Sequence, residues 1–357
     1  MIEPMEAKLV DELPVGPEWW YEPKWDGFRC LATREGTDID LMSKAGKPLT
    51  RYFPEIAEAL LASPVRRFVL DGELVVPLDP ELGAAELSRT DQSSSARAAS
   101  TRGGAALSFD ALLQRIHPAE SRVRKLAAEW PAQYIVFDLL ADVNEPLSTR
   151  RRELEAFLPR AFPDSATVKL SPITSELDVA RGWLHGEQVG LDGVVAKRHN
   201  LPYQAGLRTG MEKVKNIRTV DCVVGGFRYA AKGGGIGSLL LGLYDDDGLL
   251  HHVGFTSSFK AGERLELRTK VEPLVQPPGF TGRAPGGPSR WATERTGEWQ
   301  PLEPTLVVEV TYDHFSDGRF RHGTTFRRWR PDKAPRQCTF EQLPPEGVSA
   351  LRMLRLI

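Results

Sequence analysis

A chain of 357 residues with 41% hydrophobic side chains can bury two cores and has the composition of an ordinary globular protein. Its formal net charge of −2 excludes a protein that holds polyanions through overall charge, so any affinity for nucleic acid has to come from clustered Lys and Arg. Cys30, Cys222 and Cys338 lie far apart without a C-x-x-C pair, which argues against a zinc site or a disulfide framework and points to a reducing cytoplasm.

The N-terminus has no basic region ahead of an apolar run, and no apolar stretch approaches the ~20 residues that span a bilayer, so neither a signal peptide nor a membrane helix is expected. From Trp19 to about Val76, short alternating segments broken by Gly, Pro and charged residues predict antiparallel strands. Arg67–Val76 reads as a buried strand with Asp71 and Glu73 on one side. Residues 79–106 are small, polar and basic, with Arg89, Arg97 and Arg102 offset by Asp91. They predict a flexible insertion that is either solvated or in contact with phosphates. Phe109–Ile116 and Ala119–Trp130 read as helices separated at Pro118, and Tyr134–Asp138 as a short strand. Thr149–Leu158 reads as an amphipathic helix capped by Ser148 or Thr149, and Leu177–His185 as a further helix. Gly193–Lys197 and Glu212–Val214 read as strands around a Gly-containing loop. After Arg218 the pattern is β-dominated: Val220–Phe227, Ser238–Tyr244, Leu249–Phe255 and Thr305–Tyr312 as strands, a further strand near Trp329, and Ala261–Val271 as the one intervening helix. That set suits an OB-like barrel. Pro277–Pro288 reads as a long surface loop.

The most informative chemistry lies at Lys24-Trp25-Asp26-Gly27-Phe28-Arg29. A lysine is a nucleophile only as the neutral amine, which nearby cations and desolvation favour. Lys24 precedes the alternating run Phe28, Cys30, Ala32, so it is expected at a strand entrance. Asp26 and Gly27 would turn the backbone, and Arg29 would face an anion. Alone, this K-x-D-G pattern also fits a surface hairpin. Lys213 and Lys215 alternate on one strand and face one side, either as a cationic field or as a solvated edge strand. Gly233-Gly234-Gly235-Ile236-Gly237 lacks a following Lys-Ser/Thr and is not a P-loop. His251 and His252 face opposite sides of a strand and make a poor metal site.

Glu22-Pro23-Lys24-Trp25-Asp26-Gly27-Phe28-Arg29 resembles motif I of the covalent nucleotidyltransferases, which comprise ATP-dependent DNA ligases, RNA ligases and capping guanylyltransferases. The other motifs follow in the family's order. Ser43-Lys44 with Gly46 and Thr50 resembles motif Ia, Leu70-Asp71-Gly72-Glu73 motif III, and Phe137-Asp138-Leu139-Leu140 motif IIIa. Leu191–Lys197 resembles motif IV, Lys213-Val214-Lys215 motif V, and Phe326–Lys333 motif VI. Ordered co-occurrence over nearly the whole chain is far more specific than any one pattern. The set is most similar to the small actinobacterial ATP-dependent DNA ligases of the ligase C type.

The resemblance implies an α+β chain, with an ATP-grasp-like nucleotidyltransferase (adenylation) domain at 1–218 followed by an all-β OB-fold domain at 219–357. It implies nick sealing in DNA repair through a lysyl-AMP on Lys24, a DNA-adenylate, and phosphodiester formation. Asp26, Lys213 and Lys215 would join Lys24 in catalysis. Glu22 would read the adenine amino group, Phe137 would stack on the base, and Glu73 would accept from the ribose. Arg29, Lys197, Lys213 and Lys215 would lie near sugar and phosphates, and Arg330 and Lys333 would orient pyrophosphate. Magnesium or manganese would be held by Asp192 and Glu73. Asp192 stands where the family usually has Glu, about 1.5 Å longer, so contact through water is as open as direct ligation. Lys44, where Arg is frequent, would meet the nick phosphate without bidentate grip. Arg327 and Arg328, with Arg319 and Arg321, form a cationic cluster that would meet the DNA backbone or be a plain basic surface strand. The implied partners are nicked duplex DNA and a repair polymerase or primase-polymerase, for a monomer acting on the bacterial nucleoid in the cytoplasm. An RNA ligase, a capping guanylyltransferase, and a non-catalytic nucleic-acid-binding derivative remain the alternatives.

Overall fold

The computed structural model describes residues 2–77, 107, 109–185, 191–231, 234–286, 298–316 and 318–343. The insertion expected at 79–106 and part of the expected loop at Pro277–Pro288 lie outside them. The chain divides into two units, Met1–Asn216 and Ile217–Pro345.

The first unit holds two sheets. Strands β1 (Lys8–Leu9), β2 (Trp19–Trp25), β8 (Leu191–Arg198) and β9 (Met211–Lys215) form one, in the order β1-β9-β8-β2. Strands β3 (Phe28–Glu35), β4 (Asp38–Ser43), β5 (Arg67–Val75), β6 (Gln133–Leu139) and β7 (Val168–Leu170) form the other, in the order β4-β3-β5-β6-β7. Each sheet has one apolar face, because side chains alternate along a strand. Tyr21, Val194, Ala196 and Val214 of the first sheet pack with Ala180, Trp183 and Leu184 of helix α5 (Leu177–His185). Cys30, Ala32, Leu70, Leu74, Tyr134 and Val136 of the second sheet pack on helices α1 (Pro54–Leu61), α2 (Phe109–Arg115) and α4 (Leu147–Ala161), through Ile56, Leu60, Leu112, Leu154 and Phe157. Helix α3 (Glu120–Glu129) turns Val123 and Leu126 inward.

Two local expectations change. Asp26-Gly27 is no hairpin: β2 pairs with β8, whereas β3 pairs with β4 and β5, so the chain leaves one sheet and enters the other at this bend. Lys24 therefore lies at the exit of β2, not at a strand entrance. Helix α4 begins two residues early, with Pro146 at the N-cap and no side-chain cap. Its first amides donate to distant carbonyls instead, Leu147 N–H to Leu201 at 2.9 Å and Ser148 N–H to His199 at 2.9 Å. A neighbouring loop thus replaces the cap that Ser148 or Thr149 was expected to supply.

The second unit is a β structure around one core. Strands β10 (Arg218–Tyr229), β11 (Ile236–Tyr244), β12 (Leu250–Thr256), β13 (Gln300–Pro301), β14 (Val307–Tyr312) and β17 (Thr325–Trp329) form a six-stranded sheet, on the path β12-β11-β10-β14-β17 with β13 on β10. The two end strands meet at a Thr256–Thr324 bridge, where Thr256 Oγ1 donates to the Thr324 carbonyl at 3.1 Å. That contact closes the sheet on itself, as an OB fold does. Helix α6 (Glu263–Val271) follows β12, and β15 (Phe315–Ser316) pairs with β16 (Arg319–Phe320). Among the described residues no helix is long and apolar enough to cross a membrane.

His251 bonds Asp245 at 2.7 Å, whereas His252 is buried against Phe280. Burial, then the charges of Arg319, Arg228 and Arg283, pushes His252 down to about 3. The unfolded chain therefore binds an extra proton below about pH 6.5, and stability should fall as pH drops from there toward 3. Replacing His252 with Phe should flatten the melting temperature over that window. An unchanged acid slope would show that His252 is not the titrating group.

Candidate active site

The registers of the first sheet set three rows on its polar face. Lys24 lies opposite Gly193, which lies opposite Lys215; Glu22 lies opposite Val195, then Lys213; Trp20 lies opposite Lys197, then Met211. Lys24, Lys213 and Lys215 thus share a face, with a glycine between Lys24 and Lys215. Gly193 adopts φ of 144°, and a Cβ there would sit 2.0 Å from the Val214 carbonyl oxygen. On the second sheet Arg29 is opposite Glu73.

The bend at Asp26-Gly27 carries the chain from β2, an end strand of the first sheet, into β3, an inner strand of the second. A Cβ on Gly27 would lie 2.1 Å from the Leu74 carbonyl oxygen, so only glycine permits this approach. Gly72 of the Asp71-Gly72-Glu73 run leaves room for the Tyr134 ring, which a Cβ would meet at 2.6 Å. Tyr134 in turn donates to the carbonyls of Cys30 at 2.9 Å and Leu70 at 3.0 Å.

Lys24 Nζ forms an ion pair with Asp192 Oδ2. Glu73 is near enough to feel both Lys24 and Arg29. Burial nevertheless pushes its carboxyl up to about 8, against the pull of those cations and with Asp26 and Asp71 adding to the rise. Asp26 is buried at the bend. Lys213 is pushed below its ordinary value by burial and then by the charges of Lys24, Lys44 and Lys215, so these four amines form one cationic neighbourhood.

Glu22 and Lys197 are both buried and pair at 2.9 Å through Glu22 Oε2. Glu22 Oε1 is buried and has no hydrogen-bond partner among the described residues, and burial raises this carboxyl. A buried acceptor without a donor is costly unless a ligand satisfies it, which fits an incoming amino group. Two cations lie over the Phe137 ring, with Lys197 Nζ 4.4 Å and Arg29 Cζ 4.8 Å from its centroid. A base that stacks on a face covered by either has to displace it. Arg29 is the firmer, since Asp71 holds it bidentately at 2.6 Å on each arm.

Several supports were not legible as such in the sequence. Asp71 also accepts from Tyr203 at 2.7 Å, and Tyr203 Oη accepts the Met5 amide at 2.9 Å. Asp138, next to Phe137, takes a bidentate grip from Arg150 at 2.9 Å on each arm. Lys44 pairs with Glu6 at 2.9 Å, and Arg208 bonds the same carboxylate at 2.7 Å, holding Glu6 down to about 2.

The remaining candidates lie in the second unit. Arg330 and Lys333 converge on Asp221, Arg328 is held by Glu309 at 2.5 Å, and Arg327 is exposed. The structure therefore gathers Glu22, Lys24, Asp26, Arg29, Glu73, Phe137, Asp192, Lys197, Lys213 and Lys215 within the first unit. Among the described residues no group of three or more His, Cys, Asp or Glu forms a metal cage. Asp192 and Glu73 each lie near Lys24, and a magnesium-type ion takes one or two carboxylates and completes its shell with phosphate oxygens and water.

Replacing Gly193 with Ala should lower the melting temperature, with a strain cost on the order of 1–3 kcal/mol, and should misplace Lys215 relative to Lys24. A fully stable, fully active variant would contradict the close approach.

Comparison with known proteins agrees with this geometry. A family model described as "ATP dependent DNA ligase domain" matches residues 4–215, and one described as "ATP dependent DNA ligase C terminal region" matches residues 232–333. The chain is 42% identical to DNA ligase C2 of Mycolicibacterium smegmatis, over 98% of this chain and 96% of that protein. It is 40% identical to DNA ligase C of Mycobacterium tuberculosis, over 96% and 93%. A solved structure described in a study of Lig E DNA ligases shares the fold, with a TM-score of 0.51 and 16% identity, over 92% of this chain and 100% of that one. Family models that match residues 4–215 and 232–333, together with 40–42% identity over nearly the full length of these relatives, place the chain in the ATP-dependent DNA ligases.

Proposed function

We propose that this ligase seals nicks in duplex DNA with Lys24 as the residue that carries AMP. The observation that carries this reading is the position of Lys24 at the exit of β2, on one sheet face with Glu22, Lys213 and Lys215 and near enough to Glu73 to act on its carboxyl. In the first step the neutral Lys24 amine attacks the α-phosphate of ATP. The Nζ–P bond forms, the P–O bond to pyrophosphate breaks, and pyrophosphate leaves with the electron pair. Lys213 and Lys215 stabilise the charge on the α-phosphate. Glu22 Oε1 accepts from the adenine amino group, Phe137 stacks on the base after Lys197 withdraws, and Glu73 accepts from the ribose. Arg29, fixed by Asp71, borders sugar and phosphate. Asp26 holds the bend that presents Lys24.

A divalent cation, magnesium or manganese, would be held by Asp192 and Glu73 and would neutralise phosphate charge when bound. AMP then passes to the 5′-phosphate at the nick, and the 3′-hydroxyl displaces it. Lys44 and Arg327 contact the DNA backbone, and Arg328 does so less strongly because Glu309 already holds it. Arg330 and Lys333 orient pyrophosphate in the first step. The setting is DNA repair in a bacterial cytoplasm, with a repair polymerase supplying nicks.

Sealing of a singly nicked duplex with ATP and magnesium tests the reading. Lys24→Ala should abolish it, and Lys24→Arg should fail equally, because a guanidinium stays protonated. Sealing by either variant would sink the assignment, and preference for GTP or for RNA nicks would favour the alternatives.

Nick affinity should fall steeply with salt through counterion release. Arg327→Ala should reduce the slope of log affinity against log salt by about one. Arg328→Ala should change it less. Equal effects, or a flat salt dependence in the parent, would refute these backbone contacts.

A further inference from the structure

Asp221 lies outside the motifs that marked this chain as a nucleotidyltransferase, yet the two motif VI cations assigned to pyrophosphate, Arg330 and Lys333, both end on it. It sits on β10 between the core residues Val220 and Cys222 and is itself buried. Arg330 Nη1 donates to both its carboxylate oxygens, at 2.9 and 3.0 Å, and Lys333 Nζ donates to Oδ2 at 2.9 Å. Gln342 braces the same point. Its Nε2 donates to the Asp221 carbonyl at 3.1 Å, and its Oε1 accepts from Lys333 at 3.1 Å and from the Asp221 amide at 3.4 Å.

The other edge of the Arg330 guanidinium is differently held. Its Nε and Nη2 face the carboxylate of Asp332, at 3.0 and 2.8 Å, and Asp332 is 63% exposed at the side chain. One edge is thus fixed on a buried strand residue, and the other rests on an exposed carboxylate that a competing anion can displace. Arg330 and Lys333 keep about a fifth of their side-chain surface open, at 21% and 22%, so the pair is anchored at its root and presented at its tip. An arginine whose Nη1 is held on a buried carboxylate loses little freedom when its Nε and Nη2 turn to a phosphate.

We propose that Asp221 is the positioning residue of motif VI: it fixes the spacing and direction of Arg330 and Lys333 so that together they receive the leaving pyrophosphate. This rests on the reading that motif VI acts on pyrophosphate. Asp221 touches neither nucleotide nor DNA. Its influence is confined to the step in which the P–O bond breaks and charge builds on pyrophosphate, and to the reverse of that step.

The test measures three rates in the full chain: self-adenylation with ATP and magnesium, pyrophosphorolysis of the AMP-enzyme, and sealing of a pre-adenylated nick. Asp221→Asn keeps the shape and removes the charge. It should slow the first two by roughly 10- to 100-fold, as misplacement of a catalytic group does, and leave the third within about twofold of the parent, since a positioning defect does not reach that step. Partial recovery in Asp221→Glu would fit positioning rather than folding. Losses of equal size in all three rates with the melting temperature preserved, or no loss in any, would overturn the proposal. If Asp221→Asn does not fold, Gln342→Ala decides: the same split between steps supports the proposal, and its absence overturns it. Arg330→Ala run alongside separates the two ideas. If it slows self-adenylation while Asp221→Asn does not, the positioning role fails alone. If it leaves self-adenylation unchanged, the pyrophosphate reading fails, and the proposal with it.

Discussion

The first unit depends on one backbone constraint: the chain must pass from one sheet to the other immediately after Lys24. Asp26-Gly27 makes that passage, and the approach of Gly27 to the Leu74 carbonyl admits no side chain. The sheet that carries Lys24, Glu22, Lys213 and Lys215 is thereby joined to the sheet that carries Arg29, Glu73 and Phe137. The apolar faces turn outward to helices, and the polar faces are left for the site. Gly193 and Gly72 repeat the device, each giving up a side chain where another strand or ring comes too close. Three Asp-Gly pairs that look like turn signals are in fact points of close approach between packed elements.

Charge is organised by cluster and not by total. A chain with a net charge of −2 assembles Lys24, Lys44, Lys213 and Lys215 into one cationic neighbourhood and tempers it with Asp192 and Glu6. In the second unit Arg328 is held in place by Glu309, and Arg330 by Asp221 and Asp332. Such pairing adds little stability at exposed positions. It fixes where each charge points, which matters more for phosphate chemistry.

Much of the fold was legible. Leu177–His185 is a helix with the expected bounds, and the expected strands Val220–Phe227, Ser238–Tyr244, Leu249–Phe255 and Thr305–Tyr312 coincide with β10, β11, β12 and β14 to within a few residues, whereas their order in the sheet was not legible. The errors share a cause. The start of α4 is set by carbonyls of Leu201 and His199, about fifty residues away along the chain, and the place of Lys24 is set by its pairing with β8 instead of β3. Local pattern carries no information about either. The site residues were found through ordered motifs, but their supports were not. Tyr203, Glu6 and Arg150 look like ordinary surface or helix residues until the fold brings them to Asp71, Lys44 and Asp138. Phe137 illustrates the same limit: sequence names the ring, and only the structure shows Lys197 and Arg29 on it.

The central claim is that the groove joins AMP to one particular amine among several within reach of each other. Peptide mapping by mass spectrometry after exposure to ATP and magnesium, without DNA, tests it most directly. The account predicts a single AMP adduct on the peptide containing Lys24. An adduct on Lys197, Lys213 or Lys215, or none on any lysine while nick sealing proceeds, would contradict it.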